Sequence, residues 1–202
     1  MTIVMTNRQL PREHLRLRIE QAALALFRER GYSNVSVEEI TAGAGVSKGA
    51  FFNFFPAKED ALAAWYDALD RDLSALRAKI DPKDPLRSTL VFFRKAERQL
   101  KAQGPLLESL LRALVRRSDL RQRDVASAER DRQDFAKMIR TAQLRGALPG
   151  WVEPEAMAAI IGDIWTGSLI LWLASDRATG LAAIARPKLH FLFGSLVRRK
   201  AQ

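Results

Sequence analysis

Residues 36–58 read Ser36-Val37-Glu38-Glu39-Ile40-Thr41-Ala42-Gly43-Ala44-Gly45-Val46-Ser47-Lys48-Gly49-Ala50-Phe51-Phe52-Asn53-Phe54-Phe55-Pro56-Ala57-Lys58. Two helix starts are written into this run. Ser36 followed three residues later by Glu39 is a capping box: the serine oxygen takes a free amide of the first turn, and the carboxylate reaches back to the amide of Ser36. A short helix therefore begins there and stops at Gly43–Gly45. Ser47 is a second N-cap, opening another short helix that runs to about Phe54, where Phe55-Pro56 ends it. Two short helices joined by a Gly-Val turn have the layout of a helix-turn-helix. The first helix braces the second, and the second offers its outer face to a groove that admits one helix.

Helical spacing sorts the side chains of this run. Val37, Ile40, Ala44, Val46, Phe51 and Phe55 recur at packing intervals and are expected to close over Leu24 and Phe27. The outer face keeps Ser47, Lys48, Ala50, Phe52, Asn53 and Phe54. There Asn53 can pair with an adenine edge, Lys48 with guanine or a phosphate, and the Ala50 methyl with a thymine methyl. Gly49 keeps the backbone thin where a duplex would approach. Lys58, in the first turn of the following helix, sits where free amides and a positive dipole end favour a phosphate, so it is expected to position and not to specify.

Working outward, the whole chain reads as all-α. Residues 12–30 put Leu15, Ile19, Ala22, Ala23 and Leu26 on one stripe that ends at Gly31, expected to adopt the left-handed conformation. Beyond Pro56 the apolar periodicity predicts helices at about 57–79, 86–103, 106–117, 119–146, 153–176 and 187–200. The break near 117 rests on Arg116-Arg117-Ser118-Asp119, which interrupts an apolar face and offers Ser118 as a cap. No strand-period alternation competes.

Composition bounds the chemistry. The chain has 202 residues, 33 Lys+Arg against 23 Asp+Glu, two His and no Cys. Without cysteine there is no disulfide framework, thiolate nucleophile, Cys-ligated zinc or iron–sulfur cluster, and an intracellular, cytoplasmic setting is expected. His14 and His190 fall on separate predicted helices, so no catalytic or metal site is expected, and no cofactor. The formal charge of +10 invites an anionic partner. The first 58 residues hold a net of only +3, however, whereas 94–145 hold +7. That basic middle segment, with Arg112, Arg116, Arg117, Arg121 and Arg123, fits long-range attraction to DNA, an anionic effector or simple solubility. Ala156–Ser175 carries Asp163 as its only charge and is long enough to span a bilayer, but its small and polar residues and acidic N-terminal flank read as a buried helix. No membrane partner is expected.

From Arg18 to Leu62 the sequence resembles the N-terminal domain of the TetR family of transcriptional regulators. The residues that carry the likeness are Ala22-Ala23, Leu26-Phe27, Gly31-Tyr32, Val35-Ser36-Val37, Ile40, Ala44-Gly45-Val46-Ser47-Lys48-Gly49, Phe51, Phe55-Pro56 and Lys58-Glu59. The resemblance implies a three-helix DNA-binding domain at 1–58, with an N-terminal arm at 1–11, and a helical effector-binding and dimerisation domain at 59–202. It implies a homodimer on a palindromic double-stranded operator, a repressor released by a small-molecule effector. By the same resemblance Ser36, Ser47, Lys48, Ala50, Phe52, Asn53, Phe54 and Lys58 take the DNA-facing positions. The family often has tyrosine at the position of Phe52 and histidine or tyrosine at that of Phe54. Phenylalanine cannot donate to phosphate, and an arm carrying Arg8 and Arg12 is expected to compensate.

The remaining two-thirds is read mainly from hydrophobicity. Helix 153–176 is apolar nearly all round, which requires burial on two sides, and with the last helix it is expected to form a four-helix interface against two-fold mates. Trp65, Phe92, Phe93, Phe135, Trp165 and Trp172 are candidates to line an effector pocket, the alternative being plain core. A DNA-binding protein without an effector and an enzyme on a helical scaffold are the competing functions. The second of these lacks any catalytic constellation.

Overall fold

The computed structural model describes residues 12–104, 106–110, 118–175 and 178–198, and among them every regular element is helical. The expected N-terminal arm with Arg8, the arginines at 112, 116 and 117, and the expected break near 117 lie outside the described residues. The chain packs as two units. One comprises the chain up to Leu69 together with Gln103–Leu120, the other Asp70–Ala102 and the chain from Arg121 onward.

In the first unit, α1 (Arg12–Arg30) buries Ile19, Ala23, Leu24 and Phe27, while Leu15, Ala22 and Leu26 are only half-buried. The buried line thus falls about one position round from the expected stripe. Gly31 has the positive φ expected of it, 78°, but its ψ of 144° is extended and not left-handed helical, and it leads into a 3-10 turn at Tyr32–Asn34. Next come α2 (Val37–Ala44) and α3 (Lys48–Phe52). Between them Gly45 is truly left-handed, at φ 63° and ψ 41°, and its amide closes back on Thr41 and Ala42. A Cβ there would be strained by the dihedrals and would also meet the Arg18 guanidinium at 3.3 Å, because Arg18 donates to the Ala44 carbonyl and braces the turn. Phe27, Ile40 and Phe51 are fully buried and Phe55 nearly so, whereas Val37 and Val46 are half-buried. Each buried ring contributes about 1.5–3 kcal/mol of transfer free energy. The helix α4 (Lys58–Arg77) adds Ala61, Leu62, Trp65 and Leu69 to this unit's core.

In the second unit, α5 (Pro85–Lys101) starts on Asp84, whose carboxylate accepts from the Arg87 amide, with Pro85 in the first turn where its missing N–H costs nothing. Its inward face is Thr89, Phe92, Phe93, Ala96 and Leu100. α6 (Ser118–Leu144) buries Phe135, Ala136, Met138, Ile139 and Ala142. α7 (Pro154–Ala174) packs on α8 (Leu181–Arg198), which also packs on α5.

The start of α8 corrects the expectation that Pro187 opens the last helix. The helix begins six residues earlier and carries Pro187 inside it. An internal proline costs about 3 kcal/mol. Burial of Leu181, Ala182, Ala185 and Leu189 offsets that cost, so packing overrides the local signal. Among the described residues α7 is covered on one side only. Met157, Ala158, Ile161 and Trp172 are buried while Ile160, Ile170 and Leu171 are about half exposed. By length and composition alone α7 would pass for a membrane span, with a mean hydropathy of 1.6.

Candidate functional site

The helix-turn-helix is built by the caps read from the sequence. Ser36 Oγ accepts from the Glu39 amide at 3.2 Å, and Glu39 Oε2 accepts from the Ser36 amide at 2.8 Å and from its hydroxyl at 2.9 Å. Arg30 joins from α1 with an ion pair to Glu39 at 2.7 Å. The Ser36 amide and hydroxyl, followed by Arg30, hold the Glu39 carboxyl down to about 2. Ser47 Oγ accepts from the Ala50 amide at 3.1 Å, which seats the first turn of α3.

On the outer face of α3, Lys48, Phe52 and Asn53 are exposed, and Ala50 and Phe54 are half-buried. Asn53 caps the helix with its backbone, and its side-chain amide makes no hydrogen bond among the described residues. Lys48 is engaged: its ammonium lies 2.5 Å from Glu38 of α2, a hydrogen bond that keeps the Glu38 carboxyl below its ordinary value. Phe52 stands 43% exposed with its edge against the Phe51 ring. The Arg12 guanidinium sits over the Phe54 ring, 5.6 Å from its centre, and Arg16 sits likewise over Phe55.

Lys58 lies differently from a bare surface cation. Its ammonium donates to the carbonyls of Tyr32 and Val35 at 2.9 and 2.8 Å and stands 4.1 Å from the Tyr32 ring centre. Partial burial pulls its pKa down, against the raising influence of Glu59 and Glu39. It therefore ties the start of α4 to the segment entering α2. The amide of Ala57 is satisfied by the Asp60 carboxylate, so part of the anion-attracting character of this helix start is met internally. Sequence spacing revealed neither the Lys48–Glu38 pair nor the Lys58 carbonyl contacts nor the Arg12–Phe54 stack, since each joins residues from different elements.

In the second unit four of the six aromatic pocket candidates come together. Phe92 meets Phe93, Phe135 and Trp165 at ring-centre distances of 5.7, 6.0 and 5.4 Å, and Phe93 meets Trp165 at 5.1 Å. Trp172 is fully buried in the same unit, whereas Trp65 belongs to the first. The Thr89 hydroxyl, fully buried on α5, has no hydrogen-bond partner among the described residues. Beside this cluster Arg77, 5% exposed, ends α4 among three carboxylates. It pairs with Asp131, approaches Asp134 at 3.7 Å and Asp70 at 3.9 Å, and lies 6.0 Å from the Phe92 ring centre. Burial pushes the Asp131 carboxyl up to about 7 despite the pull of Arg77, and the neighbouring Asp70 and Asp134 push the same way. Burial also raises Asp70, but hydrogen bonds from Ser127 and Arg130 outweigh it and hold that group below its ordinary value.

A capped helix-turn-helix in one unit and a helical second unit are the parts of a known class. Residues 19–64 match the family described as bacterial regulatory proteins, tetR family. The transcriptional regulator AcuR of Cereibacter sphaeroides is 30% identical over 158 residues, covering 74% of this chain and 72% of that protein. The transcriptional repressor DhaR of a Mycobacterium species is 27% identical over 166 residues, 80% and 83% of the two chains. Thermus thermophilus FadR, a repressor solved in complex with lauroyl-CoA, superposes with a TM-score of 0.65 at 27% identity, covering 88% of this chain and 92% of its own. The chain belongs to the TetR family of bacterial transcriptional regulators. It is a DNA-binding regulator and not an enzyme.

Proposed function

We propose that the protein is a cytoplasmic, homodimeric repressor that binds a palindromic operator through α3 and is released by a small-molecule effector held in residues 59–202, with residues 1–58 as its DNA-binding domain. The observation that carries this is the outer face of α3, where Asn53 presents an uncommitted amide beside Lys48, Gly49, Ala50 and exposed Phe52. Asn53 reads an adenine edge, the Ala50 methyl packs on a thymine methyl, and Phe52 lies against sugar or a thymine methyl. Ser36 and Ser47 face the backbone while capping their helices. Lys48 exchanges Glu38 for a guanine or phosphate on binding. The Arg12 guanidinium over the Phe54 ring supplies the phosphate contact that phenylalanine cannot make. Lys58, with two of its donors held by carbonyls, has one left for a phosphate.

Dimerisation is supported by the uncovered apolar side of α7 and α8, where Ile160, Ile170 and Leu171 lie about half exposed and Phe191 is 80% exposed. A two-fold mate covering these residues completes the burial that α7 demands. An effector is supported by the likeness to FadR and by the aromatic cluster around Phe92 with the unpartnered Thr89 hydroxyl beside it on α5. An effector that prefers a conformer whose recognition helices misfit half-sites about 34–36 Å apart lowers operator affinity by mass action.

Selection of bound sequences from random DNA tests the reading. It should return a palindrome, and Asn53→Ala should relax one position in each half-site. An asymmetric site, or an unchanged preference in the variant, would refute it.

A further inference from the structure

The basic character of α5 is concentrated on one face and borders an open cleft. Arg87, Arg94, Arg98 and Lys101 follow one another at seven-, four- and three-residue steps, which keeps them within a narrow arc, and Lys95 stands beside them. Arg87, Arg94, Lys95 and Arg98 are exposed and make no ion pair among the described residues, whereas Lys101 is paired with Glu97 at 2.8 Å. Between this face and the end of α4 lies a cleft of about 210 Å³. Its apolar lining is Leu76, Ile80, Val91 and Phe92, the last of these belonging also to the aromatic cluster. Its cations are Lys79, Arg87 and Lys95, and Lys95 also borders a second hollow with Arg94 and Arg98. Two carboxylates, Asp81 and Asp84, line it as well, but both are occupied with amides at the start of α5.

Unpaired cations cost solvation only if they are covered, and an apolar surface is stabilised only if it is. A ligand that covers both at little cost brings its own anion. We propose that this cleft binds an amphiphilic anion, a carboxylate or phosphate head joined to a short apolar chain. The head lies against Arg87, Lys95 and Lys79 and the chain against Val91, Ile80, Leu76 and the Phe92 ring. This rests on the reading that the second unit binds an effector and names that effector's chemical class. The contact with Phe92 gives it a route to the aromatic cluster.

Titration calorimetry of the full chain with octyl phosphate, octanoate, octanol and inorganic phosphate tests it, with the Arg87→Glu/Lys95→Glu variant alongside. Both side chains are exposed and unpaired, so the variant should keep the wild-type circular dichroism and operator affinity. The two amphiphilic anions should bind saturably, at least about tenfold tighter than octanol or inorganic phosphate, and the variant should lose about tenfold or more. Equal binding of octanol, equal binding of inorganic phosphate, or undiminished binding by the variant would each overturn the assignment. So would failure of both anions to bind together with a flatter salt dependence of operator binding in the variant, which would make this face a nucleic-acid surface. Cleft-dependent binding of octyl phosphate that leaves the operator complex intact would uphold the site and refute the effector reading instead.

Discussion

Replacing Arg77 by methionine removes the cation from the most buried charge cluster in the described residues while keeping most of the side chain's bulk. Asp131 and Asp70 then share a largely desolvated space without that partner, beside the exposed Asp134. Removing one member of a buried pair costs about 3–5 kcal/mol, because the remaining charge is stranded. The cost should depend on pH with a definite sign. Asp131 has a folded-state value of about 7 against an ordinary 3.8, so the folded state keeps a proton that the unfolded chain has released. Its contribution to stability is therefore complete at low pH and is lost as pH rises through about 7. A shift of this size corresponds to about 4 kcal/mol over the whole window, and to roughly 2–3 kcal/mol between pH 5 and pH 8. Arg77→Met takes away the one strong influence holding Asp131 down. The variant should thus be penalised more at pH 8 than at pH 5, where a protonated carboxyl needs no cation. Asp131→Asn should flatten the pH dependence of the wild type, and the double variant should recover about 2 kcal/mol of the single variant's loss at pH 8. Urea unfolding followed by circular dichroism at both pH values measures all four proteins. A loss below about 1 kcal/mol for Arg77→Met at pH 8, or the same loss at both pH values, would refute the account of the cluster.

Lys58→Met leaves the Tyr32 and Val35 carbonyls without their donor and should destabilise the first unit by about 1–2 kcal/mol. It should also flatten the salt dependence of operator binding by about one unit. Phe191→Glu places a charge on the uncovered apolar face and should convert a dimer to monomer in sedimentation analysis, with operator affinity falling in step. An unchanged sedimentation coefficient would place the dimer contact elsewhere. Phe92→Trp enlarges a ring already packed against three others and should abolish effector-driven release while leaving operator binding intact. Release at the wild-type effector concentration would show that the cluster does not take part.

The local signals of the first unit were legible because each is contained in a few consecutive residues. Ser36 with Glu39, Ser47 ahead of α3 and Gly45 in the turn act through hydrogen bonds and dihedral limits that three or four neighbours define. The recognition face followed from the same local geometry, since helical spacing alone separates Phe51 and Phe55 from Asn53 and Phe52. Lys48 and Lys58 were legible as cations at the right places but not in what they hold. Their partners, Glu38 and the carbonyls of Tyr32 and Val35, come from other elements.

The second unit shows the opposite balance. Hydrophobic periodicity announced its helices, yet Pro187 was read as a boundary when α8 runs through it. A local penalty of about 3 kcal/mol is smaller than the burial gained by the residues on either side. The aromatic candidates were a list by composition, and only packing separated the four that touch from Trp65 in the other unit. Composition gave the basic charge without its address. Placement of α5 against the end of α4 turned five of those cations into one face beside an apolar cleft. The sequence by itself determined that the chain is helical, where its first helices start and stop, and which face of α3 is offered outward, because caps, turns and helical period are short-range physics. Only the tertiary structure decided which charges are buried together, which are left unpaired, and where apolar surface stays open, because those depend on residues that meet across separations such as 26 and 60 positions of chain.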